Sequence, residues 1–185
     1  MQLYDFLMVL TSIIIGLGMA EILTGVGQLL RAQKRTHVYP IHGLFVAIVF
    51  VGQLHHWWTA SGVSDITTIA FPGVLFFVTG PILLFLLGYL AFPSTVVEWD
   101  LESYYYTYAR LLWTLVALYL VTAALFRPVV LGSQFVSWEN LIRATGVALC
   151  LLLGFTKRRL VHTIGVTSAS VLLFIYVALF TFRWD

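Results

Sequence analysis

Residues 6–30, FLMVLTSIIIGLGMAEILTGVGQLL, form an apolar run that is long enough to cross a bilayer as a single helix. The hydrocarbon core of a membrane needs about 20 apolar residues in an α-helix. Further runs of this kind occupy residues 41–60, 69–92, 108–126, 137–155 and 159–182. Because short loops join these runs, the sequence predicts an all-α polytopic bundle of six transmembrane helices, one domain over residues 1–185 with no soluble part.

Composition and charge agree with this environment. Hydrophobic residues make up 61% of the chain and charged residues 10%, against roughly 45–50% and about 25% in soluble domains. The formal net charge is +2, so the chain lacks the strong positive charge that nucleic-acid binding requires. The lipid bilayer is therefore the expected partner, and nucleic acid is not.

Basic residues in two loops predict the orientation. One lysine and two arginines lie within residues 31–35, and residues 157–159 are Lys-Arg-Arg. Loops rich in lysine and arginine stay in the cytoplasm. With six spans both loops lie on the same side, so we expect the N- and C-termini to be periplasmic. The acidic and aromatic segment 93–108 is expected to lie along the inner interface before the fourth span.

Glu21 is a carboxylate deep inside the first run. It lies about 15 Å from Arg31 along a helix, which is near the bilayer centre. A charged residue at that depth costs on the order of 2.5–3.5 kcal/mol on insertion scales, so it is a functional candidate. Thr24 and Gln28 continue from it at helical spacing, and we call these three residues the Glu21 stripe. Glu21 either binds protons or is a neutral or paired group that holds helices together.

Three more polar residues fall inside predicted spans. Gln53 and His56 share a face of the second span, and Arg143 lies in the fifth, about one turn from the depth of Glu21. The partner of Arg143 is either Glu21 or Glu139, and the local Glu139 is preferred because it precedes Arg143 by four residues. With the Glu21 stripe, these residues predict a conduction path for protons or small ions.

His42 and His162 suggest an alternative function. They are predicted at about the same inner depth, and a haem with two histidine ligands needs one from each of two helices. A redox membrane subunit that binds haem b between them, or a quinone at the aromatic inner interface, is therefore the second hypothesis. An assembly or scaffold protein without a site is the third.

Other chemistries lack support in the sequence. No nucleotide-binding loop, nucleophile elbow or zinc-protease motif occurs, and the single Cys150 cannot form an intramolecular disulfide. The sequence therefore predicts no catalytic residues and no metal site, and it does not point to an enzyme. The glycine-rich first span, in contrast, suits close approach of another helix. We expect a homo-oligomer, or a membrane-protein partner, to assemble through that span.

The opening Asp5-Phe6-Leu7, the glycine-rich span with Glu21 and the basic first loop resemble an uncharacterised family of small multi-pass proteins of bacterial inner membranes. The resemblance extends loosely over most of the chain. It implies a multi-pass location in the cell inner membrane and no particular activity.

Overall fold

The computed structural model describes residues 3–32, 36–60, 69–94 and 99–180. Within them the chain is helical apart from short loops and two strands of two residues, β1 and β2. The elements are α1 (Leu3–Ala32), β1 (Thr36–His37), α2 (Pro40–Ala60), α3 (Phe71–Tyr89), β2 (Trp99–Asp100), α4 (Leu101–Leu131), α5 (Trp138–Phe155) and α6 (Arg159–Phe180). The predicted all-α class is confirmed.

Five of these helices are long and apolar enough to cross a membrane, namely α1, α3, α4, α5 and α6. This indicates a multi-pass membrane protein. The second helix, α2, is long enough at 21 residues but is not among the five, although the sequence predicts it as a span. Two histidines and a glutamine in its second half lower its mean hydropathy.

The fourth helix begins earlier than predicted. The Asp100 side chain caps it by accepting hydrogen bonds from the backbone N–H groups of Glu102 at 3.1 Å and Ser103 at 3.0 Å. The bond from Ser103 also lowers the pKa of the Asp100 carboxyl, and nearby His37 adds to this effect. Residues 101–108 are therefore the first two turns of α4, which begins before residue 108, where the sequence predicts the fourth span to start. Their position along the inner interface stays a prediction.

The starts of α2, α4 and α6 meet at one end of the bundle. β1 pairs in parallel with β2, which joins the loop before α2 to the loop before α4. Glu102 in the first turn of α4 forms a salt bridge of 2.6 Å with Arg159, the first residue of α6. We call this end of the bundle the strand end and the opposite one the far end. From the strand end, α2, α4 and α6 run in the same direction.

The helices pack as a closed ring in the order α1, α3, α4, α5, α6, α2. Across the middle of the ring, Phe45 of α2 contacts Trp113 of α4 with ring centroids 5.2 Å apart. Both side chains are fully buried, together with Tyr105 and Leu112 of α4 and Leu153 of α5. The core is therefore closed at mid-height by aromatic side chains.

Glycines set the crossing of α1 and α3. A Cβ atom on Gly88 would lie 2.5 Å from the carbonyl oxygen of Gly18, so the two backbones touch directly. Two helical turns after Gly18, a Cβ atom on Gly25 would overlap the ring of Phe92. Small residues allow this close approach of membrane helices. The crossing determines which face of α1 is buried, and it contains Ile15, Gly18, Ile22 and Gly25.

Candidate functional site

A cavity of about 600 Å³ occupies the far half of the ring, between α2, α3, α4, α5 and α6. Its lining includes Trp113 of α4 and Leu84 and Leu87 of α3, which are all buried core residues. These three side chains form its floor. Because Trp113 also contacts Phe45, the cavity is separated from the strand-end half of the bundle by packed aromatic groups.

One side of the cavity is polar. Side chains from four helices converge there, and we call them the polar wall: His55 and His56 of α2, Tyr119 of α4, Arg143 of α5 and Tyr176 of α6. Most of the remaining lining is aliphatic or aromatic. The cavity therefore has one hydrogen-bonding side and one apolar side.

Arg143 is the charged centre of the polar wall. Its guanidinium donates to the Tyr176 hydroxyl at 2.7 Å, to Asn140 Oδ1 at 2.8 Å and to Glu139 Oε2 at 3.3 Å. The predicted local pair with Glu139 is thus confirmed. These bonds leave two of the five guanidinium N–H groups without a hydrogen-bond partner among the described residues.

The two histidines carry unused hydrogen-bonding capacity. His56 Nδ1 lies 3.3 Å from the Tyr119 hydroxyl, and the His55 ring packs edge-on against Tyr176 with centroids 5.1 Å apart. The Nε2 atoms of both histidines are buried and have no hydrogen-bond partner among the described residues. Gly80 of α3 makes room for the His56 ring, since a Cβ there would lie 2.9 Å from its Cε1.

The charges on the cavity lining favour a negatively charged guest. Arg143, Arg127 and Glu139 all line it, so with neutral histidines these residues add one net positive charge. A guanidinium is always protonated and has only donors. In a site of low dielectric its attraction for an anion is far stronger than in water. The site can therefore hold an anion more readily than a cation.

A second polar cluster lies at the strand end. Tyr105 of α4 contacts both His42 of α2 and His162 of α6, with ring centroids at 6.0 and 5.3 Å. His42 and His162 thus lie at one level, as the sequence predicts. His162 Nε2 is 2.8 Å from the Thr156 carbonyl oxygen and its Nδ1 is 2.8 Å from the Tyr105 hydroxyl. The carbonyl can only accept, so Nε2 carries the proton and Nδ1 accepts from Tyr105.

This arrangement does not fit haem ligation. Both nitrogens of His162 are engaged, and the Tyr105 ring lies between the two imidazoles. His42 is buried among aromatic rings, including those of Phe92 and Tyr104. The backbone of Ala91 lies beside it without meeting hydrogen-bond geometry. We therefore do not propose a haem here, and the quinone alternative stays a prediction.

The Glu21 stripe lies away from the cavity. Glu21 and Thr24 are exposed on the outer surface of α1, and Gln28 is half-buried. The structure brings His56 and Arg143 together in the cavity but does not bring the stripe to them. A continuous path through all the predicted residues is therefore not formed in this arrangement.

Gln53 is fully buried next to the cavity floor but outside the lining. Its Nε2 donates to the Leu84 carbonyl oxygen at 2.9 Å, and it packs against the glycines of the α1–α3 crossing. Its Oε1 is buried with no partner among the described residues. Gln53 thus links α2 to α3 rather than lining the cavity.

The sequence interpretation missed Tyr119, Tyr176 and the role of His55. One signal was present: Tyr105 and Tyr119 are separated by fourteen residues on α4, and so are His42 and His56 on α2. On two helices that face each other across the ring and run in one direction, equal spacing produces two matched polar levels about 21 Å apart. Without the packing order, nothing indicated that α2 and α4 are such a pair.

Comparison of the chain with protein families, with curated proteins and with solved structures finds no match. The interpretation of the cavity therefore rests on its own geometry.

Proposed function

We propose that the protein is a six-span integral membrane protein whose central cavity admits a small anion or a proton from one side of the membrane and passes it onward. The observation that carries this proposal is the polar wall itself. In a bundle of apolar helices, buried ionisable residues are costly and mark pathways for ions or protons. Here Arg143 and two histidines line one cavity of about 600 Å³.

The second helix supports the proposal by its composition. α2 runs in the same direction as α4 across the middle of the ring, from the Tyr105 level, where it places His42, to the Tyr119 level, where it places His56. That distance is about 21 Å, most of the way across a hydrocarbon core of about 30 Å. We infer that α2 is the sixth span. Its lower hydropathy follows from its position, because its polar residues face the inside of the bundle and not lipid.

Passage beyond the cavity requires its floor to open. Trp113 and Phe45 close the ring at mid-height, so the cavity is a blind vestibule in this arrangement. Movement of the Trp113 indole away from Phe45 would join the vestibule to the strand end. The proposal is therefore a gated path and not an open pore.

The experiment compares ion flux into proteoliposomes for the wild type and for Arg143→Gln, with acetate and proton gradients as driving forces. We expect Arg143→Gln to lower acetate flux at least tenfold, because it removes the charge that attracts an anion into the cavity. Arg110→Gln is the matched control, since Arg110 is exposed on α4 and lies over the Phe155 ring, away from the cavity. Wild-type flux in Arg143→Gln contradicts the proposal.

Assembly and location belong to the same proposal. The outer face of α1 presents Gly16, Ala20, Glu21 and Thr24, all exposed, and a homo-oligomer formed there would cover a carboxyl that lipid solvates poorly. Disulfide cross-linking of Ala20→Cys in a Cys150→Ser background tests this, with exposed Phe174→Cys on α6 as control. Equal cross-linking at both positions contradicts it. The basic loops and the family resemblance support the bacterial inner membrane with both termini periplasmic.

A further inference from the structure

We propose that the natural guest of the cavity is an organic monoanion, with one acid group held at the polar wall and an aromatic or apolar body held against the opposite side. This inference rests on the proposed function and names the class of its substrate. It follows from the size of the cavity, from the distribution of its lining and from the unused donors of the polar wall.

The volume is too large for an inorganic ion alone. Sites for organic ligands of drug size enclose about 300–1,000 Å³ and are mostly apolar with a few placed polar groups. The cavity of about 600 Å³ falls within this range. A bare ion at Arg143 would leave most of the apolar lining in contact with water, which is unfavourable.

The apolar side of the cavity contains aromatic as well as aliphatic side chains. Phe76 and Phe77 of α3, Trp113 and Phe126 of α4 and Leu149 of α5 contribute to it. The indole N–H of Trp113 already donates to Tyr105 Oη at 3.0 Å, so this side chain offers the cavity no further donor. Aromatic side chains favour offset or edge-on contact with another ring. This side therefore favours a ring or a short hydrocarbon chain over a polar solute.

The polar wall matches an acid group. Two of the five N–H groups of Arg143 have no hydrogen-bond partner among the described residues, and the hydroxyls of Tyr119 and Tyr176 belong to the same wall. A carboxylate has two acceptor oxygens and forms its strongest hydrogen bonds with guanidinium. Glu139 already neutralises one of the two arginine charges on the lining, so one negative charge on the guest completes the balance.

The test uses the full-length protein in lipid nanodiscs and isothermal titration with 2-naphthoate, its neutral isostere 2-naphthamide, and acetate. We expect naphthoate to bind at least tenfold more tightly than either of the other two. Arg143→Gln should remove the preference for naphthoate over naphthamide. Val116→Trp, which adds bulk to the lining beside Trp113, should weaken naphthoate binding at least tenfold, while Arg110→Gln should leave it unchanged.

The outcomes separate this inference from the proposed function. If naphthoate binds no more tightly than naphthamide, the polar wall does not recognise an acid group. If naphthoate binds no more tightly than acetate, the apolar side does not bind the body of the guest. In either case, acetate flux that depends on Arg143 would still support the ion path. Selective naphthoate binding without any Arg143-dependent flux would instead support a binding protein and contradict the path.

Discussion

Tyr105 connects three helices, because this one side chain of α4 contacts residues of both α2 and α6. Its hydroxyl donates to His162 Nδ1 on α6 and accepts from the Trp113 indole N–H on its own helix. Its ring also contacts Tyr39 and His42 near the start of α2. Because the side chain is fully buried, water cannot replace either hydrogen bond if the hydroxyl is removed. Tyr105 therefore joins the cavity floor to the strand end of the bundle.

We predict that Tyr105→Phe destabilises the protein by about 1–3 kcal/mol, since it leaves a buried acceptor and a buried donor unpaired while keeping the ring. Thermal unfolding in mild detergent measures the effect as a lower Tm. Tyr108→Phe is the control, because Tyr108 is exposed on the same helix. Equal Tm values for the two variants would show that the hydrogen bonds of Tyr105 contribute nothing to stability.

At the scale of elements, the α1–α3 crossing determines which face of α1 is buried and which is exposed. The glycine contacts hold one face of α1 against α3 and turn Glu21 and Thr24 outward. A rotation of α1 that brought Glu21 inward would carry Gly18 away from Gly88 and place larger side chains at the contact. The exposure of Glu21 is thus a consequence of where the glycines lie along α1.

We predict that Gly88→Ala lowers the free energy of unfolding by about 1–3 kcal/mol, the usual cost of overpacking. The reason is that the new methyl group meets the backbone of α1, which cannot move aside as a flexible side chain can. Gly16→Ala is the matched control, since a Cβ there has no neighbour within 4 Å. Denaturant midpoints measured in detergent give both values, and a neutral Gly88→Ala would refute the close crossing.

At the scale of the whole molecule, the ring of helices places polar groups at two levels with a packed aromatic layer between them. The far level contains the cavity, and the strand-end level contains the Tyr105 cluster. The strand pairing and the Glu102–Arg159 salt bridge tie the loops of the strand end together. This arrangement connects the loops of the strand end and places the cavity at the opposite end of the bundle.

We predict that labels on the two sides of the membrane will show α2 to be a full span. In a Cys150→Ser background, His37→Cys and Lys157→Cys should be protected from a membrane-impermeant maleimide in intact cells, while Ala70→Cys and Ser133→Cys react. All four positions are exposed and lie outside the helices. The pair at residues 37 and 70 flanks α2, so labelling of both from the same side would show that α2 does not cross.

Much of the fold was predictable because it depends on local properties of the chain. The apolar runs set the helix positions, with α4 starting earlier than expected because Asp100 caps it. The Glu139–Arg143 pair follows from four-residue spacing within one helix. The common level of His42 and His162 follows from their distances to the ends of their helices.

By itself, the amino-acid sequence determined the helical class and indicated a multi-pass membrane protein, because hydrophobicity and helical periodicity are properties of the chain alone. Only the tertiary structure decided that His55, Tyr119 and Tyr176 meet Arg143 in one cavity, and that Glu21 faces outward. The position of a residue along its helix does not specify the rotation of that helix about its axis. That rotation is set by contacts between helices, such as Gly18 against Gly88, which join residues far apart in the chain.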